Sequence, residues 1–250
     1  MVEQLLPLME MLGREPDRAD GSARHFADAA SDWVGAFNIN DFDRLLTISG
    51  VEHGQFSIMS ADAGLKRQKM FAYVNTLTRL CSPSMALEEM LVRGRTLLVR
   101  HIQRRSPYVR AIYNSLVRSG VPVSDVVAIL SPPEAQATPP HADGHPNIQI
   151  QLMGRKWWRA WGRVEEGTFK EAASIRELER NFHEISLDSP KVAVLLKPGD
   201  LLYVPYRVMH TATTKVDFSL SISFQLHPPS PAAIKSGGQT HALINILPDH

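Results

Sequence analysis

Two stretches of this chain alternate with a period of two, and the polar members of both carry no charge. Over residues 147–152, Asn147, Gln149 and Gln151 alternate with Ile148, Ile150 and Leu152. Over residues 218–226, Ser219, Ser221, Ser223 and Gln225 alternate with Phe218, Leu220, Ile222, Phe224 and Leu226. Successive side chains point to opposite faces in a strand, so this pattern demands β-structure and excludes an amphipathic helix. A half-exposed sheet would also alternate. Amides and hydroxyls without a single charge suit a wet internal pocket better than an open surface. The expectation is a sheet with a greasy outer face and a polar inner one.

Around these two stretches, residues 126–130, 156–161, 192–196 and 201–204 read as further short strands, preceded by one at 96–102. Helices are expected in the run NINDFDRLL, with Phe42, Leu45 and Leu46 on one face, and over residues 85–92, stopped by Gly94. Ser106-Pro107 opens another, with Ser as cap, a stripe of Val109, Ile112, Tyr113, Leu116 and Val117, and Gly120 past its end. A last helix is expected at 170–182. A helical first part leading into many short strands predicts a mainly β fold with flanking helices, a barrel or sandwich core with helices packed outside. We read one domain over 1–250: a mostly helical region to residue 90, a core over 92–226 and a tail over 227–250, the tail too short for a further domain.

Composition narrows the partners. Hydrophobic residues make up 44% and charged residues 21% of the chain, which is ordinary folded usage. A formal net charge of +1 gives no reason to expect nucleic acid or an anionic membrane as a partner. No apolar run is long enough to span a bilayer. The N-terminus, with Glu3 and Glu10, lacks the pattern of a secretory signal, so a cytoplasmic protein is expected. The lone Cys81 excludes an intramolecular disulfide and is read as a small buried hydrophobe.

Chemistry concentrates in the segment TPPHADGHPN. On a strand, His141 and Asp143 point to one face, where an imidazole and a carboxylate could hold one divalent metal. His210, beyond the 195–205 strand-turn-strand segment, is the candidate third ligand. Two histidines and one carboxylate form the facial triad of non-haem Fe(II) oxygenases. The plainer alternative is a turn, with His141 capping it and Asp143 making an Asx-turn before Gly144.

At this point the residues resemble the cupin superfamily, and within it the JmjC-type Fe(II)/2-oxoglutarate oxygenases. Gly199, Pro205 and His210 hold the places of the second cupin motif, with Arg207 where the motif has a second glycine. The first motif is matched by His141, Asp143, Asn147 and Gly154, with Asn147 in place of the glutamate that a four-ligand site needs. The run GRKWW is similar to that of the ribosomal oxygenases and the asparaginyl hydroxylase of hypoxia-inducible factor. The resemblance implies a double-stranded β-helix (jelly-roll) core. It also implies Fe(II) on His141, Asp143 and His210, with 2-oxoglutarate and O2 as cosubstrates. Lys156, thirteen positions after Asp143, would take the distal carboxylate together with Thr138, while Asn147 and Gln225 would lie near the cosubstrate. The implied activity is hydroxylation of a C–H bond of an amino-acid side chain in a protein, peptide or amino-acid-derived metabolite, with release of succinate and CO2. The modest length tilts that expectation toward a peptide or small molecule.

Other readings remain open at this point. A metal-dependent cupin of another class, either an isomerase or a dioxygenase without cosubstrate, is disfavoured by Asn147 and Lys156; a non-catalytic binding barrel is disfavoured by the intact ligand set. His145 reads as a turn residue, Arg104 and Arg105 as a solvated face, and Trp157, Trp158 and Trp161 mainly as core. Tyr203 and Tyr206 flank the third ligand and are candidates to touch substrate. A homodimer through the N-terminal helices is one arrangement open to the chain.

Overall fold

The structure, a computed structural model, describes residues 5–14, 21–47, 56–59, 88, 90–138, 140–163 and 189–228. The helix expected at 170–182 and Cys81 lie outside the described residues.

Eleven strands form two antiparallel sheets among the described residues. The first contains β1 (Arg24–Phe26), β2 (Phe56–Met59), β3 (Thr96–Val99), β4 (Val123–Ser131), β6 (Asn147–Met153), β9 (Leu201–Val204) and β11 (Ser219–Leu226). The second contains β5 (His141–Ala142), β7 (Lys156–Arg163), β8 (Val192–Leu196) and β10 (Val208–Thr214). Their orders are β1-β9-β6-β11-β4-β3-β2 and β5-β10-β7-β8. From β4 to β11 the chain passes back and forth between the sheets, giving the expected mainly β, cupin-like architecture with helices outside. The β6–β11 ladder sets Ser223 opposite Gln149 and Ser221 opposite Gln151, so the two polar faces coincide.

The apolar faces coincide too. Val126, Ala128 and Leu130 of β4, Ile148 and Ile150 of β6, and Leu220, Ile222 and Phe224 of β11 are all buried on the outer side of the large sheet. They pack against the helices α1 (Leu5–Arg14), α2 (Ile39–Thr47) and α3 (Pro107–Arg118) through Met9, Leu12, Phe42, Leu46, Ile112 and Leu116. Helix α3 is capped as expected, Ser106 Oγ accepting from the Val109 N–H. Its stripe is narrower than read: Val109, Ile112 and Leu116 are buried, but Val117 is exposed. Asn38 caps α2, taking the Asn40 N–H on its side chain while Asp41 reaches back to its own N–H.

Among the described residues before residue 90, strands accompany the helices α1 and α2. They are β1, which pairs with β9, and β2, which pairs with β3. The buried Asp200 carboxylate fastens β1 in place: it accepts the Asp28 and Lys197 N–H groups and faces His25 Nε2 at 3.1 Å. The sheet interior then has two parts. A small apolar cluster includes Trp158, Ala160, Leu202, Val204 and Val208. Beside it lies the uncharged stripe of Asn147, Gln149, Gln151, Ser219, Ser221 and Ser223, every member buried. The inward-facing alternative, rather than the half-exposed sheet, is the one this chain adopts.

Candidate metal centre

Strand pairing brings the three ligand candidates together. His141 and His210 sit directly opposite each other in the β5–β10 ladder, their rings 4.4 Å apart. The β10–β7 ladder shifts register between Val208 and His210, the kind of irregularity that re-aims a side chain beside a site. Asp143 follows β5, two residues from His141. One donor atom from each of the three lies within 4.8 Å of the other two. His141 Nε2 is 3.7 Å from Asp143 Oδ1, and His210 Nε2 is 3.7 Å from Asp143 Oδ2. Those separations are too long for hydrogen bonds and leave room for an ion shared by all three.

Each imidazole is set up to offer Nε2. His210 Nδ1 lies 2.9 Å from the Val208 carbonyl and can only donate to it, leaving a lone pair on Nε2. Burial pushes the His210 imidazole down to about 4, aided by the neighbouring His141, so it is neutral at physiological pH and ready to ligate. Trp158 stacks on its ring at 5.7 Å. His141 Nδ1 is held by Thr138 Oγ1 at 3.1 Å. For Asp143, burial opposes ionisation, but His210, His141, His145 and the Asn147 amide outweigh it and hold the carboxyl below its usual range. Neutral imidazoles and an ionised carboxylate are the donor set a divalent first-row metal requires.

Two residues expected at the cosubstrate also contact the ligand side chains. Thr138, expected beside Lys156, accepts the His141 Nδ1–H on its hydroxyl oxygen, and its carbonyl accepts from Thr211 Oγ1 and Gln136 Nε2. Asn147, expected at the cosubstrate, donates its amide to Asp143 Oδ2 at 2.7 Å. Residues that orient a ligand commonly matter tenfold to a hundredfold for metal affinity. Asn147→Ala should therefore weaken metal binding by about that factor with little loss of folded stability, measured by competition with a chelating dye; unchanged affinity would refute the orienting role.

Lys156 enters the same interior from β7. It is 4% exposed, and its one hydrogen bond among the described residues runs to Ser131 Oγ at 3.1 Å. Burial alone pulls its ammonium down to about 8. Ser131, the last residue of β4, was missed because the expected strand ends at Leu130; its parity with Ile129 is the signal. Gln225 lies opposite Asn147 at the end of β11, half-buried, its carbonyl accepting from Ser124. Tyr203 does not flank the site: it is buried in the outer core with Leu201, its ring under the Arg24 guanidinium. Arg207 stands at φ +57°, which explains why the motif has glycine there, and its N–H donates to the Asp143 carbonyl at 3.1 Å.

A family model described as JmjC domain matches residues 99–234, more than half of the chain. The chain belongs to the JmjC domain family. Among curated JmjC relatives, the bifunctional lysine-specific demethylase and histidyl-hydroxylase NO66 of Drosophila persimilis is 36% identical over 88 residues, 35% of this chain and 12% of that protein. Human ribosomal oxygenase 1 is 37% identical over 83 residues, 33% of this chain and 12% of its own length. The matched stretches thus span only a small part of these larger proteins. Escherichia coli YcfD shares the fold, with a TM-score of 0.59 at 14% identity over 93% of this chain and 60% of that one. A structure described as the ribosomal oxygenase YcfD in complex with cobalt and 2-oxoglutarate superposes at 0.53, with 14% identity over 91% and 57% of the two chains.

Proposed function

We propose that this protein is an Fe(II)- and 2-oxoglutarate-dependent oxygenase that hydroxylates a C–H bond of an amino-acid side chain in a protein or peptide, releasing succinate and CO2. The observation that carries this reading is a His-Asp-His cluster sharing one interior with a buried lysine for which no carboxylate partner exists among the described residues. A desolvated ammonium is costly unless an anion meets it, and a dicarboxylate held on the metal would bring that anion.

His141, Asp143 and His210 would hold the iron, which supplies the centre where 2-oxoglutarate and O2 react. The chain's own residues do the positioning. Asn147 and Thr138 fix Asp143 and His141, Trp158 packs flat on His210, and Lys156 takes the far carboxylate. A fourth-ligand cupin chemistry is disfavoured because Asn147 turns its NH2 group to Asp143. The relatives named as histidyl-hydroxylase, lysine demethylase and ribosomal oxygenase support a side chain within a protein over the small molecule expected from length.

An anaerobic titration of Fe(II)-loaded protein with 2-oxoglutarate tests the reading. A visible charge-transfer band should develop, be lost in His210→Ala, and be accompanied in air by succinate release. Bound metal without a band would sink the proposal.

A further inference from the structure

Resting on the metal centre of that reading, we propose that Thr211 and Gln136 are positioning residues for the His141 ligand and act on it through Thr138. Strand β5, which carries His141, has two residues and lies at the edge of its sheet among the described residues. Its ladder to β10 consists of two pairs, Met209 with Ala142 and His210 with His141. So short a ladder leaves an edge strand prone to fraying and its side chains poorly aimed. A ligand atom needs tighter control, because it must meet its ion to within about 0.2 Å.

The loop before β5 supplies that control. Thr138 Oγ1 takes the His141 Nδ1–H at 3.1 Å, which leaves the Nε2 lone pair for the metal. The Thr138 carbonyl is itself held by two donors, the Thr211 hydroxyl at 3.0 Å and Gln136 Nε2 at 3.1 Å, one for each of its lone pairs. Gln136 Nε2 also donates to Thr211 Oγ1 at 3.0 Å, closing a ring of three hydrogen bonds. Both residues are anchored on β10: Thr211 belongs to it and is fully buried, and the Gln136 backbone bridges to Thr213. Thr211 follows His210 directly and points to the opposite face of the strand, away from the ligand cluster. The strand that supplies one histidine therefore also aims the other, and the two imidazoles are fixed to a single element.

Two substitutions at Thr211 separate aiming from packing. The probe is Co(II), followed in the full-length protein by its visible absorption and by competition with a chelating dye. Thr211→Val keeps the buried volume and removes the hydroxyl; Co(II) affinity should fall about fivefold, and the shape of the absorption band should change. Thr211→Ser keeps the hydroxyl and loses a buried methyl; its melting temperature should fall while Co(II) affinity stays that of the unaltered protein. In a Thr138→Val background, where the link to His141 is cut, Thr211→Val should cost no further affinity. Unchanged affinity in Thr211→Val, affinity that follows melting temperature across the two variants, or additive losses in the double variant overturn the assignment while the metal centre stands. An unaltered protein that binds no Co(II) overturns the metal centre, and the assignment falls with it.

Discussion

Lys156→Met is expected to raise the melting temperature of the cosubstrate-free protein and, in the same molecule, to abolish 2-oxoglutarate binding. An ammonium drawn from 10.5 to about 8 by burial destabilises the neutral-pH fold by roughly 3 kcal/mol relative to a solvated one. Methionine fills nearly the same volume without charge. It loses the hydrogen bond to Ser131, worth about 1 kcal/mol, so a net gain of about 1–2 kcal/mol should remain. For a domain of this size that is several degrees. Cosubstrate affinity moves the other way by about a hundredfold or more, because a charge-assisted pair in a dry interior is lost.

The two effects carry opposite pH signatures. Between about 8 and 10.5 the unfolded chain holds the Lys156 proton and the folded chain does not, so the unaltered protein gains stability as pH rises through that window. The advantage of methionine should shrink over the same range. Affinity of the unaltered protein for 2-oxoglutarate, whose carboxylates stay ionised, should fall as pH rises above about 8, while the variant stays flat. Calorimetry and the anaerobic titration decide it. A destabilised variant that still binds 2-oxoglutarate would show that Lys156 is structural.

Gly154→Ala should be the most damaging single-methyl change in the core. Gly154 sits between β6 and β7 at φ +63°, and a Cβ built there would lie 1.7 Å from the Phe218 carbonyl oxygen. Both the backbone conformation and the close approach exclude a side chain. The turn must shift away from β11, which carries the serines of the pocket, and a loss of about 3–5 kcal/mol is expected. Gly35 provides the comparison. It has φ +88° but open space where its Cβ would be, so Gly35→Ala should cost only about 1 kcal/mol of backbone strain. Equal urea midpoints for the two variants would refute the packing argument.

The motif glycine at Gly154 illustrates what could be read beforehand. Alternation exposed β6 and β11 because one face is apolar and the other polar. It failed for β10, where Met209 and Thr211 are buried as fully as Val208 and His210, so both faces are covered and no period survives. The strands β1, β2 and β5 are too short to show any period. Spacing pointed to His141, Asp143 and His210, which the strands bring together, and the resemblance pointed to Lys156. Spacing does not say where a rotatable hydroxyl or amide turns. The resemblance assigned Thr138 and Asn147 to the cosubstrate, and only the structure shows that their side chains also reach the ligand residues. Ser131 went unnoticed for a different reason: the expected strand stops one residue short of it, at Leu130.

The short strands β1 and β2 have a consequence of their own. A seven-stranded sheet cut back to its long members would end in unpaired N–H and C=O groups along β9 and β3, a template for another chain to add to. Among the described residues, three- and four-residue strands border those two sides and offer an incoming strand little to pair with. These short strands, among the described residues, blunt the two sides of the sheet against edge-to-edge association, a consequence that alternation and metal chemistry leave invisible.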